Sequence, residues 1–70
     1  MLHPYVGKCL LQNILDEKRM SLNDLADKTG ISKHQLSAYK NQKKLMSLPT
    51  SRLIASKLDC HIDDLYKWNI

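Results

Sequence analysis

The chain has 70 residues, 43% of them hydrophobic, and a formal net charge of +4. That length allows one domain with a small core, and the hydrophobic fraction argues against a disordered chain. The positive charge favours an anionic partner, and no apolar run approaches the roughly 20 residues that a membrane span needs.

The N-terminal part predicts one helix after a short arm. Residues 1–3 form the arm, and Pro4 suits the first turn of a helix over residues 4–18 because it lacks a backbone donor. Apolar residues recur there at three- and four-residue steps, which indicates one buried face. Within this helix, Gly7 is expected only to weaken the first turn.

The central stretch predicts two short helices joined by a tight turn. Ser21 is a good N-cap for a helix over residues 22–28, and Gly30 suits the left-handed backbone conformation that follows a helix. Ser32 then caps a helix over residues 33–40. Such a pair presents its second helix to the major groove of DNA.

The second helix of this pair has two distinct faces. Leu36 and Tyr39 form its buried stripe, with Gln35 partly covered. The outward face carries Lys33, His34, Ser37 and Ala38. Short polar and basic groups on one helix face are the chemistry that reads base edges, although His34 alone also fits a bystander at the surface.

The C-terminal part predicts two more helices. Leu45 and Met46 are expected to turn inward before Ser47, which caps a fourth helix. The inner face of the fourth helix is expected to hold Leu48, Ser51, Ile54, Ala55 and Leu58. A fifth helix has Asp63 and Asp64 in its first turn, where negative charge is favoured.

Charge is segregated along the chain, because residues 28–58 contain no Asp or Glu. The basic residues of this segment are Lys28, Lys33, Lys40, Lys43, Lys44, Arg52 and Lys57. Lys43 and Lys44 follow the predicted base-reading helix, which favours phosphate contacts over a merely solvated turn.

Other chemistry finds little support. Cys9 and Cys60 lie at apolar positions and are expected to be reduced and buried, in a cytoplasmic protein without a signal peptide. Zinc-ligand spacing, nucleophile–base pairs and glycine-rich phosphate loops are missing from the sequence, so we expect no metal, no cofactor and no enzyme.

The residues of the central stretch carry a resemblance to a known family. The run Leu-Ala-x-Lys-Thr-Gly-Ile-Ser at residues 25–32 resembles the helix-turn-helix of the phage-repressor and Cro-like (XRE) family, and the match extends over about residues 7–66. It implies one domain over residues 1–70, an all-α, five-helix, lambda-repressor-like fold with the helix-turn-helix at about residues 21–40.

The resemblance also implies residue roles. Base reading falls to Lys33, His34 and Ala38, with Ser37 beside them. Phosphate contacts fall to Asn41, Lys43 and Lys44, and the departures described next add backbone amides, Ser21 or Asn23, and Lys40, with Ser32 as a further candidate. Three departures change these contacts. Leu22 replaces a phosphate-binding Gln, Leu15 and Lys40 replace an Arg–Glu pair, and Gln42 replaces a loop Gly, so that loop is expected to differ in shape.

The resulting hypothesis is a sequence-specific transcription regulator, a small repressor of phage or prophage type that binds double-stranded DNA at the nucleoid. Useful specificity needs two copies, so we expect a weak homodimer completed on DNA. Tyr66, Trp68 and Ile70 either cap the core or form a self-association patch. The alternative is a protein-interaction module, such as an antitoxin or anti-repressor, that retains the fold.

Overall fold

The computed structural model describes residues 4–70, so the arm predicted at residues 1–3 lies outside the described part. Most of the described chain is helical, and a small sheet joins its two ends. The elements in order are strand β1 (Val6–Cys9), helices α1 (Leu11–Glu17), α2 (Leu22–Thr29), α3 (Lys33–Lys40) and α4 (Leu48–Leu58), a 3-10 helix (Ile62–Leu65) and strand β2 (Tyr66–Trp68).

The sheet corrects the predicted all-α, five-helix architecture. β1 pairs antiparallel with β2, with Val6 opposite Trp68 and an irregularity before Cys9. The predicted first helix was therefore wrong over residues 4–10, nearly half of its length, because pairing with the distant C-terminus satisfies this backbone instead. The predicted fifth helix is a short 3-10 helix that runs directly into β2.

Gly7 has a different role from the one predicted. A Cβ atom placed on Gly7 would lie 2.4 Å from the carbonyl oxygen of Lys67 in β2. Real Cβ atoms essentially never approach another heavy atom that closely. The strands pair at this separation because residue 7 has no side chain.

The helices pack around one core, and α2 lies against both α3 and α4. The largest fully buried side chains come from every helix: Leu11, Leu15, Leu25, Leu36, Ile54, Leu58 and Leu65. Ser51, Ala55 and Met46 are buried as predicted. Leu45 and Leu48 were predicted to face inward, but they are 39% and 73% exposed.

Serine caps begin three of the helices, as the sequence indicated. The hydroxyl oxygens of Ser21, Ser32 and Ser47 accept hydrogen bonds from the backbone N–H three residues later, at 3.0, 3.2 and 3.3 Å respectively. Gly30 ends α2 with φ 76°, the left-handed conformation predicted for it. These local signals determine where α2, α3 and α4 begin and where α2 ends.

Candidate nucleic-acid interface

α3 is held by its buried side and exposes the opposite one. Leu36 and Tyr39 are 0% and 2% exposed, so they anchor the helix to the core. Lys33 and His34 are exposed, and Ser37 and Ala38 are half-buried. Residues spaced by four lie above one another on a helix, so these four share one surface.

Two side-chain hydrogen bonds involve residues at or beside this surface. Gln35 is exposed rather than partly covered, and its side-chain amide donates to the Tyr39 hydroxyl at 3.1 Å. The Asn41 amide donates to the Ser37 hydroxyl oxygen at 3.3 Å. The Ser37 hydroxyl keeps its own proton to donate, so it remains available to an acceptor outside the protein.

The loop after α3 carries the basic residues predicted to meet phosphate. Lys43 and Lys44 are exposed, and Lys40 is half-buried. The loop begins with a Schellman motif in which the Lys43 N–H donates to the Ala38 carbonyl at 2.9 Å and the Gln42 N–H donates to the Tyr39 carbonyl at 3.1 Å. α3 therefore ends in a hydrogen-bonded turn.

Gln42 occupies the position where the family resemblance expects glycine. Its φ is 60°, the left-handed conformation that glycine adopts most easily. Its side-chain amide donates to the Gly7 carbonyl oxygen of β1 at 3.0 Å. The sequence shows this substitution but not its contact, because Gln42 and Gly7 are far apart in the chain.

α2 begins with a capping box. The Ser21 hydroxyl oxygen accepts from the Asp24 N–H, and the Asp24 carboxylate accepts from the Ser21 N–H, both at 3.0 Å. The bond from the Ser21 backbone is the largest cause that lowers the pKa of Asp24. Asn23 is exposed beside this cap, and Ser32 is exposed at the start of α3.

The three residues predicted for self-association differ in how exposed they are. Tyr66 is 5% exposed and belongs to the core. Trp68 is 40% exposed, and its indole N–H donates to the Asp63 carbonyl at 2.9 Å. Ile70 is 92% exposed.

Trp68 also borders an apolar cleft that sequence reasoning missed. The cleft has a volume of about 180 Å³. It is lined by Val6, Leu45, Met46, Leu48, Ser51, Ile62, Tyr66 and Trp68. The exposed leucines of the loop and of α4 therefore join Trp68 in one apolar surface, which we call the apolar cleft.

Other kinds of site find no support among residues 4–70. That part of the chain has no group of three or more His, Cys, Asp or Glu placed to hold a metal ion. Nor does it contain a helix that is long and apolar enough to cross a membrane. Cys9 and Cys60 are free thiols, and burial raises the pKa of both.

Comparison with known proteins agrees with this geometry. A family model for the Cro/C1-type HTH DNA-binding domain matches residues 10–69. The SPbeta prophage-derived uncharacterized HTH-type transcriptional regulator YopS of Bacillus subtilis (strain 168) is 38% identical over 71 aligned residues, which cover 100% of this chain and 96% of that protein. The SPbeta prophage-derived uncharacterized HTH-type transcriptional regulator YotL of the same organism is 33% identical over 60 residues, covering 84% of this chain and 75% of that protein.

Proposed function

Because the chain belongs to the Cro/C1-type HTH DNA-binding family, we propose that it is a DNA-binding transcription regulator that reads the major groove with α3. The observation that carries this proposal is the pair Lys33 and His34, exposed on a helix whose opposite face is locked by Leu36 and Tyr39. A rigid helix with exposed polar groups near its N-terminus can place those groups against base edges. The likeness to two prophage regulators supports the finer proposal of a prophage-type repressor.

Each predicted contact has a chemical role in this proposal. Lys33 donates to guanine O6 and N7, and the methyl group of Ala38 meets a thymine methyl. Lys43 and Lys44 bind phosphates, together with Lys40, Asn41 and the start of α2 and α3. The proposal assigns no catalytic step and places the protein in the cytoplasm at the nucleoid.

Two copies would read two half-sites on one face of the duplex. A single α3 covers few base pairs, so specificity calls for a second copy about one DNA turn away, roughly 34 Å. The apolar cleft with Trp68 and Ile70 supplies the exposed apolar surface for this contact. We therefore propose a weak homodimer that DNA binding completes.

Binding to DNA duplexes over a range of salt concentrations tests the proposal. We expect Lys43→Ala to weaken binding and to lower the slope of log K against log salt by up to about 0.9, the value for one phosphate contact. Lys8→Ala is the matched control, because it removes the same charge from an exposed position in β1. A slope that is flat in the natural protein, or equal losses for both variants, would contradict the proposal.

The exposed apolar cleft also favours a second candidate, an interaction module for another protein. In that case Lys33→Ala and Lys43→Ala leave function intact, whereas Ile70→Asp and Leu48→Ser abolish it. Both apolar positions are largely exposed, at 92% and 73%, so these changes should leave the core in place. Loss of DNA binding with the lysine changes favours the regulator over the module.

A further inference from the structure

The loop that carries Lys43 and Lys44 is attached at both ends to the sheet. On one side of the two lysines, the Gln42 side-chain amide donates to the Gly7 carbonyl of β1 at 3.0 Å. On the other side, the backbone N–H of Met46 donates to the hydroxyl oxygen of Tyr66 in β2 at 3.3 Å. One bond therefore runs to each strand, and the lysine pair lies between them.

Both of these hydrogen bonds are buried or partly buried. The bond between the Met46 N–H and the Tyr66 hydroxyl is buried, and both residues belong to the core. The bond from Gln42 is partly buried, and its backbone adopts a left-handed conformation at φ 60°. Glycine adopts this conformation most easily, but it could not make the side-chain hydrogen bond that Gln42 donates to Gly7.

We infer that the sheet positions the phosphate-binding loop, and that Gln42 and Tyr66 are the positioning residues. This inference rests on the proposed function, because it assigns a purpose to Lys43 and Lys44 on DNA. A loop that is already ordered before binding loses less conformational freedom when its lysines meet phosphates.

Three substitutions alter or remove the two hydrogen bonds that hold the loop. Gln42→Asn keeps an amide and a residue type that tolerates positive φ, but it shortens the side chain by one methylene. Gln42→Gly removes the side chain and relieves the backbone. Tyr66→Phe keeps the ring and removes only the hydroxyl that accepts from Met46. Circular dichroism melting shows which variants remain folded, and Gln42→Asn carries the test if Tyr66→Phe does not fold.

The test measures binding to a 20-base-pair duplex of random sequence, since phosphate contacts do not depend on sequence. We expect both Gln42 variants to weaken binding by roughly 2- to 10-fold, the range that one lost hydrogen bond implies. In a protein that already carries Lys43→Ala and Lys44→Ala, we expect the same Gln42 changes to have no further effect. A loss of equal size in both backgrounds would overturn the inference, and so would unchanged binding in the first.

A measurement without DNA separates this inference from the proposed function. Backbone ¹⁵N relaxation should show larger amplitudes at Lys43 and Lys44 in Gln42→Asn than in the natural protein, with α2 unchanged. Unchanged amplitudes would overturn the positioning role even if DNA binding is present. Failure of the natural protein to bind any duplex would instead overturn the proposed function, whatever the loop does.

Discussion

Replacing Gly7 with Ala distinguishes a strand from a helix at the N-terminus, because the two structures predict opposite signs. The new Cβ would lie 2.4 Å from the Lys67 carbonyl oxygen, so β1 and β2 must separate by about 0.6 Å to reach even the 3.0 Å limit of real contacts. This oxygen is part of the backbone of β2, so it cannot rotate away as a side chain could.

The expected cost follows from two opposing effects. Overpacking of this kind destabilises proteins by ~1–3 kcal/mol. Alanine also restricts the unfolded chain, which returns about 0.4–1 kcal/mol. We therefore expect a net loss of about 1–2 kcal/mol in the free energy of unfolding, or a melting temperature lower by roughly 5–15 °C for a domain of this size. In a helix, the same change would stabilise by about 0.5–1 kcal/mol.

Urea and thermal unfolding followed by circular dichroism measure this difference. Gly30→Ala is the contrasting control, because a Cβ there meets no atom within 4 Å and only the φ of 76° opposes it. That strain is worth about 1–2 kcal/mol, and the restricted unfolded chain returns about 0.4–1 kcal/mol, so the expected net loss is smaller, about 0.5–1 kcal/mol. A Gly7→Ala protein that is as stable as the natural one, or more stable, would refute the close pairing of β1 with β2.

Three further predictions concern stability. Ser21→Ala removes the acceptor of the Asp24 N–H and should lower the free energy of unfolding by about 1 kcal/mol in urea titrations; an unchanged midpoint would count against the cap. Arg19→Gly should raise the free energy of unfolding by up to about 1 kcal/mol, because glycine relieves a strain of about 1–2 kcal/mol at φ 53° while the freer unfolded chain costs about 0.4–1 kcal/mol; a lower melting temperature would contradict this. Burial raises the pKa of the Cys9 thiol and the Tyr66 hydroxyl, so the unfolded chain releases their protons first and stability should fall as the pH rises above about 9. Urea midpoints between pH 7 and pH 10.5 check this, and Cys9→Ala should flatten the lower part of the decline.

Local signals made the helix-turn-helix predictable. Ser21 and Ser32 as caps, and Gly30 at positive φ, each act within one helix turn, so their effect can be inferred without knowing the rest of the fold. The buried stripe of Leu36 and Tyr39 follows from helical spacing alone. These residues determine which face of α3 is exposed, and that face was predicted from the sequence.

Non-local contacts explain what was missed. The segment that forms β1 has apolar residues compatible with a helix, and only pairing with β2 at the far end of the chain makes it a strand. Leu45 and Leu48 were assigned to the core because they are apolar and lie near the inner face of the fourth helix, yet both are exposed. Gln42 gave a local signal, a missing glycine, but its partner Gly7 lies on β1 and could not be inferred from spacing.

Selection of bound sequences from a pool of random DNA duplexes tests the proposed function most directly. We predict enrichment of an inverted repeat whose half-site centres lie one helical turn apart, about 34 Å, with Lys33→Ala relaxing the preference at one base pair in each half. A pool that stays random after repeated rounds with the natural protein, or a motif that Lys33→Ala leaves unchanged, would contradict major-groove reading by α3.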